Sequence, residues 1–365
     1  MIKSEPIGSA KRIMSNPLSK HNYFGWPTVA RLQNGKLAAV ASGFRLAHVC
    51  PFGQVVISYS EDEGETFTRP AVAFDTPLDD RDAGILPFGE KGVMLTSFNN
   101  SVNYQRSYCI NYSGSSPYIL GYLDTVKKEE EAVFLGATYA ISRDGGFTFG
   151  EVKRAPVSSP HGPCLLSDGT VLFAGCEIQE DKDRQMDMTK ITAFAFYPAE
   201  ERWEKRGSVP SVDGYTFCEA HAVEAKDGTL LCFIRVQGGG GLVSDQKFTV
   251  YQAESHDGGK TWSPAHQILG DFGGAPPHAL CLPTGRVVLT YGVRVAPFCI
   301  RAKVSDDCGK SWSNEVDVSI NGVSPDLGYP STVALSDGSL LSVFYAHREE
   351  GAPAEIFAQK WKLID

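Results

Sequence analysis

The sequence predicts an all-β chain and, within that class, a six-bladed β-propeller. Three observations carry this. A turn of the pattern Ser-x-Asp-x-Gly-x-Thr/Ser-aromatic occurs four times. A two-strand unit with a glycine at its turn recurs six times, interleaved with those turns. Segments with a helical period are nearly absent. Repeated four-stranded units set around an axis are the signature of a propeller.

The turns run from Ser60 to Phe67, Ser142 to Phe149, Ser255 to Trp262 and Ser305 to Trp312. In each, Ser and Asp side chains can accept hydrogen bonds from nearby backbone amides, and Gly admits a positive φ. The closing aromatic anchors the turn on the next strand. Asp62, Asp144, Asp257 and Asp307 are therefore read as structural staples and not as catalysts.

The two-strand units follow in order. Trp26-Pro27-Thr28 leads to Asn34-Gly35, and, more loosely, Arg81-Asp82-Ala83-Gly84 leads to Lys91-Gly92. Then come His161-Gly162-Pro163 to Asp168-Gly169, Glu219-Ala220-His221 to Asp227-Gly228, Pro277-His278 to Thr284-Gly285, and Tyr329-Pro330-Ser331 to Asp337-Gly338. From Pro27, His161, Ala220, Pro277 and Pro330 the turn glycine is eight residues on. Equal spacing puts the units in one register. Blade three lacks its Ser-x-Asp turn, and Tyr197 to Trp203 reads as a degenerate copy. Blade six runs out of chain, so residues near 8–16 are expected to supply its missing strand and close the ring. Pro at the first helical position of Ser116-Pro117 predicts one helical insertion over 116–131 in blade two. Gly238 to Gly241 reads as a flexible loop and not a phosphate cradle, because no helix start follows it.

The 365 residues are read as one domain, 1–365, since large all-β folds exceed the usual length per domain. Lys+Arg number 34 against 43 Asp+Glu, a formal charge of −9, which argues against a nucleic-acid partner. No stretch of ~20 apolar residues would span a membrane. The first residues, MIKSEPIGSAKRIMSNP, lack the apolar core of a secretory signal, so a cytoplasmic location is expected. Nine cysteines without a CxxC pair read as reduced, buried hydrophobes. Oligomeric state is left open, and no cofactor is expected.

The shared register gathers Trp26, Arg81, Asp82, His161, Glu219, His221, His278 and Tyr329 at one end of the central channel. Polar groups converging in a cleft are the usual mark of a site. His161, His221 and His278 hold similar positions in adjacent blades. Such a trio could ligate zinc, but propeller channels often hold such side chains in hydrogen bonds to water or sugar. They are read as substrate-binding, with no metal.

At this point the sequence resembles the sialidase (neuraminidase) superfamily, whose Asp-box, or BNR repeat, matches the four turns; the resemblance covers nearly the whole chain. It implies a catalytic Glu at Glu219, a carboxylate-binding Arg at Arg235, and a nucleophilic Tyr at Tyr329. It implies a third Arg at Arg294, with Arg301 as the alternative, an additional sugar-contacting Arg at Arg45, and a hydroxyl-binding Asp at Asp82. A neutral phenol, of ordinary pKa ~10, needs an adjacent carboxylate to act as a nucleophile near neutrality. Two positions depart from the pattern. Gly25-Trp26-Pro27 stands where the family has Arg-Ile-Pro, so Gly25 takes the place of the first Arg of the carboxylate-binding triad, and the Trp26 ring beside it is suited to stacking on a sugar. Leu46 to Pro51 holds no carboxylate where the family has its acid/base Asp. His48 is the substitute there, with Asp79, Asp80 and Asp82 as further candidates.

The resemblance implies an exo-acting glycoside hydrolase of sialidase type. It would remove a terminal sugar, acidic or deoxy, from small glycans by a Tyr/Glu mechanism, with sialyl substrates served poorly. The catalytic set is Tyr329, Glu219, Asp82 and His48. The substrate-binding set is Arg45, Arg81, Arg235, Arg294, Trp26, His161, His221 and His278. Two alternatives remain: a glycan-binding propeller without catalysis, and a polysaccharide lyase acting on uronates.

Overall fold

The structure, a computed structural model, describes all residues except 113, 181–184, 239–246, 271–275 and 321. Six antiparallel sheets form the six blades of a propeller. Blade one comprises Tyr23–Arg31, Leu37–Arg45, Gln54–Ser60 and Ala71–Phe74, and blade two Arg81–Phe88, Gly92–Asn99, Gly136–Ser142 and Lys153–Arg154. Blade three departs: its first strand is split into Val157–Ser158 and Cys164–Leu165, ahead of Val171–Gln179, Gln185–Tyr197 and Arg202–Val209. Blade four runs Tyr215–Glu224, Leu230–Gly238, Lys247–Ser255 and His266–Gln267. Blade five runs Pro277–Cys281, Val287–Val293, Cys299–Ser305 and Val316–Ser319.

Blade six takes three strands from the chain's end, Gly328–Ala334, Leu340–His347 and Ala354–Ile364. Its outermost strand is Lys3–Met14, paired with Ala354–Ile364. The strand expected near 8–16 thus begins earlier. Its register against Ala354–Ile364 slips between Ile7 and Lys11, which lets it follow that strand almost to Asp365. The N-terminal strand completes blade six at four strands and ties the two ends of the chain together in one sheet.

The core is distributed between blades. Apolar clusters fill each of the six interfaces, such as Val40, Val55, Ile85 and Leu95 between blades one and two. The last interface joins blade six to blade one through Met14, Trp26, Tyr329 and Tyr345. Every blade therefore buries both of its faces, which explains strands that are apolar along most of their length.

The four Ser-x-Asp turns form as their chemistry requires. In the first, Ser60 Oγ donates to Asp62 Oδ1 at 2.8 Å, and Gly64 N–H donates to Ser60 Oγ at 2.9 Å. Thr66 donates to both Asp62 oxygens, from its amide at 2.9 Å and its hydroxyl at 2.6 Å. Gly64 sits at φ 79°. The other three turns repeat the Ser–Asp bond around Asp144, Asp257 and Asp307. Each joins a third strand to a fourth, so in an antiparallel blade all four lie at the end opposite the starts of the first strands.

Where one helix is expected over 116–131, the structure has two, Ser116–Leu123 and Lys128–Phe134, broken where Lys127 turns extended. A further helix, Val102–Cys109, precedes them, with Ser101 as its N-cap. All three lie between the second and third strands of blade two. They pack on the 46–52 loop of blade one through Val49, Cys109, Ile119 and Leu123. Val49 N–H donates to Tyr112 Oη at 3.2 Å, so the insertion steadies the loop that carries His48. Of the Gly238 to Gly241 run, residues 239–241 lie outside the described residues. No helix among the described residues is long and apolar enough to cross a membrane.

Candidate functional site

Four residues of the channel mouth share an uncommon backbone state. Trp26 and Asp82 have φ 53°, and Glu219 and Tyr329 have φ 49°. At each one the pairing of the first strand with the second slips, between Gly25 and Thr28, Arg81 and Gly84, Cys218 and His221, and Gly328 and Ser331. One extra residue bends the strand and re-aims its side chain. A left-handed backbone costs a residue with a Cβ about 1–2 kcal/mol, so the surrounding blades must hold it. Blade three places Gly162, at φ 75°, in the corresponding stretch. There, a Cβ on Gly84 would lie 2.6 Å from the Gly162 Cα, so blades two and three meet backbone to backbone.

Glu219 and Tyr329 come from blades four and six and touch. Tyr329 Oη donates to Glu219 Oε1 at 2.6 Å, and Arg235 Nη1 donates to Glu219 Oε2 at 2.5 Å and to Tyr329 Oη at 3.4 Å. Burial opposes ionisation of Glu219, but the Arg235 charge and the bonds from Tyr329 and Arg235 outweigh it. Its carboxyl stays below the ordinary range. Burial and the Glu219 charge push the Tyr329 phenol well above its ordinary value. The resting pair is a carboxylate accepting from a neutral phenol, with a guanidinium beside both. Gln237, with its amide turned to satisfy both ends, accepts from Arg235 and fixes that side chain further.

Arg294 approaches from blade five. Its guanidinium carbon lies 5.5 Å from the Tyr329 ring centre, with Nε donating to Leu327 O at 2.9 Å and Nη2 to Tyr345 Oη at 3.0 Å. Arg301 instead pairs with Glu315 and Asp317 on its own blade. Trp26 is 1 % exposed and has the Arg81 guanidinium 3.9 Å from its ring centre. Its ring is therefore covered by a cation of the protein, where the sequence suggested a surface for sugar. Arg45 is 0 % exposed: it pairs with Asp79 at 2.6 Å and donates to Ser42 Oγ at 2.7 Å and His48 O at 2.9 Å. It braces the wall behind the site. Asp80 is equally buried and accepts from the Thr76 amide at 2.7 Å.

Asp82 and His48 differ in what they can do. Burial pushes the Asp82 carboxyl up to about 6, opposed by Arg81 and helped by Glu219. Its Oδ1 is buried and has no partner among the described residues. A carboxyl with that affinity for a proton and a free oxygen is suited to proton transfer. The His48 ring is 42 % exposed, and burial lowers its affinity for a proton. Its Nε2 faces Arg81 Nη2 at 3.5 Å, a donor, so the ring's hydrogen sits on Nδ1, toward Tyr23 Oη at 3.0 Å. In that state the outward nitrogen is a base and not an acid.

The three histidines meet in the channel. The rings of His221 and His278 stack with centres 4.4 Å apart, and His161 lies edge-on to them at 5.8 and 5.1 Å. Ala279 N–H donates to His221 Nδ1 at 3.1 Å, and Thr332 N–H donates to His278 Nδ1 at 3.3 Å. Each ring thus clips its blade to the next. Each also carries its hydrogen on Nε2 when neutral, which leaves no lone pair there for a metal. Burial holds both below the ordinary imidazole value, His221 at about 4. His161 is 1 % exposed, and its Nε2 has no partner among the described residues.

Tyr23, Asp326, Tyr345 and His347 also reach this site and carry no motif. Asp326 Oδ2 accepts from Tyr23 Oη at 2.9 Å and from His347 Nε2 at 3.0 Å, and Oδ1 accepts from Tyr345 Oη at 2.7 Å. The only pointer in the sequence is position: Asp326 lies just before Tyr329, in a loop that the strand order brings to the site end. A separate surface cavity of about 500 Å³, lined by Asp257, Trp262 and Lys310, lies among the Ser-x-Asp turns at the opposite end.

The family model described as a BNR repeat-like domain matches residues 120–343. A structure described as an unknown function protein from Dyadobacter fermentans is 21 % identical, covers 99 % of both chains and superposes with a TM-score of 0.76. The NanB sialidase of Streptococcus pneumoniae is 14 % identical over 98 % of this chain and 71 % of its own, with a TM-score of 0.67. The α-L-arabinanase of Penicillium chrysogenum is 14 % identical over 97 % of both chains, with a TM-score of 0.64. At such identities the likeness shows the propeller fold. No curated protein matches the sequence.

Proposed function

We propose, from the premise that this chain belongs to the BNR repeat-like domain family, that it is a glycoside hydrolase working through Tyr329, Glu219 and Asp82. The observation that carries the reading is the 2.6 Å bond from the Tyr329 hydroxyl to Glu219, with Arg235 bonded to both. Such an arrangement is an activated nucleophile: the base is in reach and a third group orients it.

In the first step Tyr329 Oη attacks the anomeric carbon and its proton passes to Glu219 Oε1. The bond to the leaving oxygen breaks, and that oxygen takes the proton held by Asp82. In the second step a water gives a proton to Asp82, and its oxygen attacks the same carbon. Tyr329 departs and recovers its proton from Glu219. Two displacements retain the anomeric configuration. Arg235 offsets the negative charge that develops on the phenol oxygen.

Structures named as a sialidase and as an arabinanase share the fold, so the guanidinium groups are the guide to the sugar. Arg235 and Arg294 flank Tyr329, which favours a terminal sugar bearing a carboxylate. Gly25 stands where the resemblance expects a third such group, which argues against efficient sialyl cleavage. The experiment is a panel of chromogenic glycosides of sialic acid, its deaminated analogue, uronic acids and arabinofuranose, with product configuration read by NMR. Release of a retained sugar supports the reading. Products that absorb in the ultraviolet through a new double bond would make the protein a lyase, and binding without turnover would make it a glycan-binding module.

A further inference from the structure

One half-buried carboxylate outside the Tyr–Glu–Asp set, its side chain 32 % exposed, is joined to both sides of the site. Asp326 stands in the loop before the first strand of blade six. Two tyrosines reach it from different blades, Tyr345 at Oδ1 and Tyr23 at Oδ2. Each tyrosine hydroxyl donates to Asp326 and can accept from a second residue. Tyr345 Oη accepts from Arg294 Nη2 at 3.0 Å. Tyr23 Oη accepts from His48 Nδ1 at 3.0 Å, the nitrogen that bears the hydrogen. The result is two parallel relays that end on one carboxylate: Arg294 to Tyr345 to Asp326, and His48 to Tyr23 to Asp326.

His347 fixes the charge at the centre. Its Nε2 faces Asp326 Oδ2 at 3.0 Å and its Nδ1 faces the Ala352 carbonyl at 2.6 Å. Both partners only accept, so both nitrogens carry hydrogen and the ring is an imidazolium. The groups facing Asp326 are therefore His347, His48, Tyr23 and Tyr345, all donors. Those facing His347 are Asp326, the Ala352 carbonyl and the edge of Tyr23, with ring centres 6.3 Å apart. Both phenols are held neutral by burial, so they remain donors to the carboxylate.

We infer that Asp326 is a positioning residue that sets the reach of Arg294 and of His48 together, through Tyr345 and Tyr23. The inference rests on the proposed function for the role of Arg294, since Arg294 binds the substrate carboxylate there. Asp326 touches neither substrate nor the reacting atoms. It removes rotational freedom from two side chains that face the sugar, and preorganisation of that kind is expressed in binding.

The test is Asp326→Asn, which keeps the shape and removes the charge, with Tyr345→Phe and Tyr23→Phe as single-arm variants. On the best chromogenic glycoside of the panel, Asp326→Asn should raise KM at least tenfold and leave kcat within about threefold. Tyr345→Phe should reproduce most of the KM effect. A carboxylate that only supported folding would lower the active fraction, hence the apparent kcat, and leave KM alone. A second readout needs no activity. In an NMR titration of the histidine rings, His347 of the wild type should titrate above 6.5 and fall by at least one pH unit in Asp326→Asn. A KM within twofold of wild type, or an unmoved His347 titration, overturns the inference. A wild type that cleaves no glycoside of the panel sinks the proposed function alone, because the titration still decides whether Asp326 is the hub.

Discussion

Tyr329 donates its hydroxyl hydrogen to Glu219 across 2.6 Å, although 110 positions separate the two in the chain. Each stands on a left-handed residue at a slip in strand pairing, one on blade six and one on blade four. The contact is a product of ring closure: neither residue can find the other until the blades between them are stacked. Arg235 then fixes the proton on the phenol by holding Glu219 ionised.

Removing the phenol hydroxyl separates chemistry from stability. Tyr329→Phe deletes the hydroxyl's two hydrogen bonds, to Glu219 and from Arg235, and opens no cavity, a cost of about 1–3 kcal/mol. Turnover should fall by about 10³-fold or more, since the covalent route closes. Glu219→Gln should behave likewise, and the double variant should be little worse than either, because the two act as a unit. Steady-state rates beside melting temperatures check this; turnover above about a tenth of wild type in Tyr329→Phe would exclude the tyrosine route.

Asp82 should set an alkaline limit on the reaction. As the acid it must hold a proton, and its carboxyl titrates at about 6. The pH profile of kcat/KM should decline above that value, and Asp82→Asn should abolish the decline while cutting the rate by about 10²–10⁴-fold. The stability effect has the opposite sign. A raised folded-state value means that ionising Asp82 costs stability as pH rises from 3.8 to about 6. At pH 7 Asp82→Asn should therefore stabilise the fold, by on the order of 1–3 kcal/mol, and the gain should vanish below pH ~4. Denaturant midpoints at the two pH values test it.

The channel histidines should make the propeller acid-sensitive. His221 falls from 6.5 to about 4 on folding, so the unfolded chain binds more protons between those values. Stability from this ring is complete above 6.5 and lost as pH drops toward 4, on the order of 3 kcal/mol. His221→Phe removes the titration and flattens the dependence. It also leaves the Ala279 amide without its acceptor, so the variant should be less stable at pH 7 by about 1–3 kcal/mol. Melting curves from pH 7 to 4 that run parallel for both proteins would refute the assignment.

The Ser-x-Asp turns should matter for stability and not for turnover. Asp62 is held at about 2, chiefly by the hydrogen bonds from Thr66. Asp62→Ala should lower the unfolding temperature and leave kcat within twofold, because the turn lies at the far end of the blade. A loss of activity in folded protein would show that the two ends are coupled.

Sialyl glycosides should be poor substrates. Gly25 occupies the position of the missing arginine, and the neighbouring Trp26 ring lies against Arg81, so only Arg235 and Arg294 border Tyr329 from the expected triad. Cleavage of a sialyl glycoside at rates usual for enzymes, 1–10³ per second, would show that two guanidinium groups suffice.

The local rules of the sequence determined the blades. Two-strand units closed by a turn glycine and the Ser-x-Asp pattern act within about ten residues, so they can be read without knowing what lies opposite. Equal spacing from Glu219, Trp26 and Tyr329 to their turn glycines even indicated which residues share an end of the ring. Only the tertiary structure decided what those residues do to one another. Arg45 was expected at a sugar and is enclosed with Asp79, because burial depends on the neighbouring loop and not on register. Trp26 was expected to offer a face that Arg81 covers. Asp326, Tyr345, Tyr23 and His347 join blade one to blade six, at opposite ends of the chain. Hydrogen bonding, desolvation and charge pairing arise between atoms that closure of the ring brings together, and no spacing within one blade encodes them.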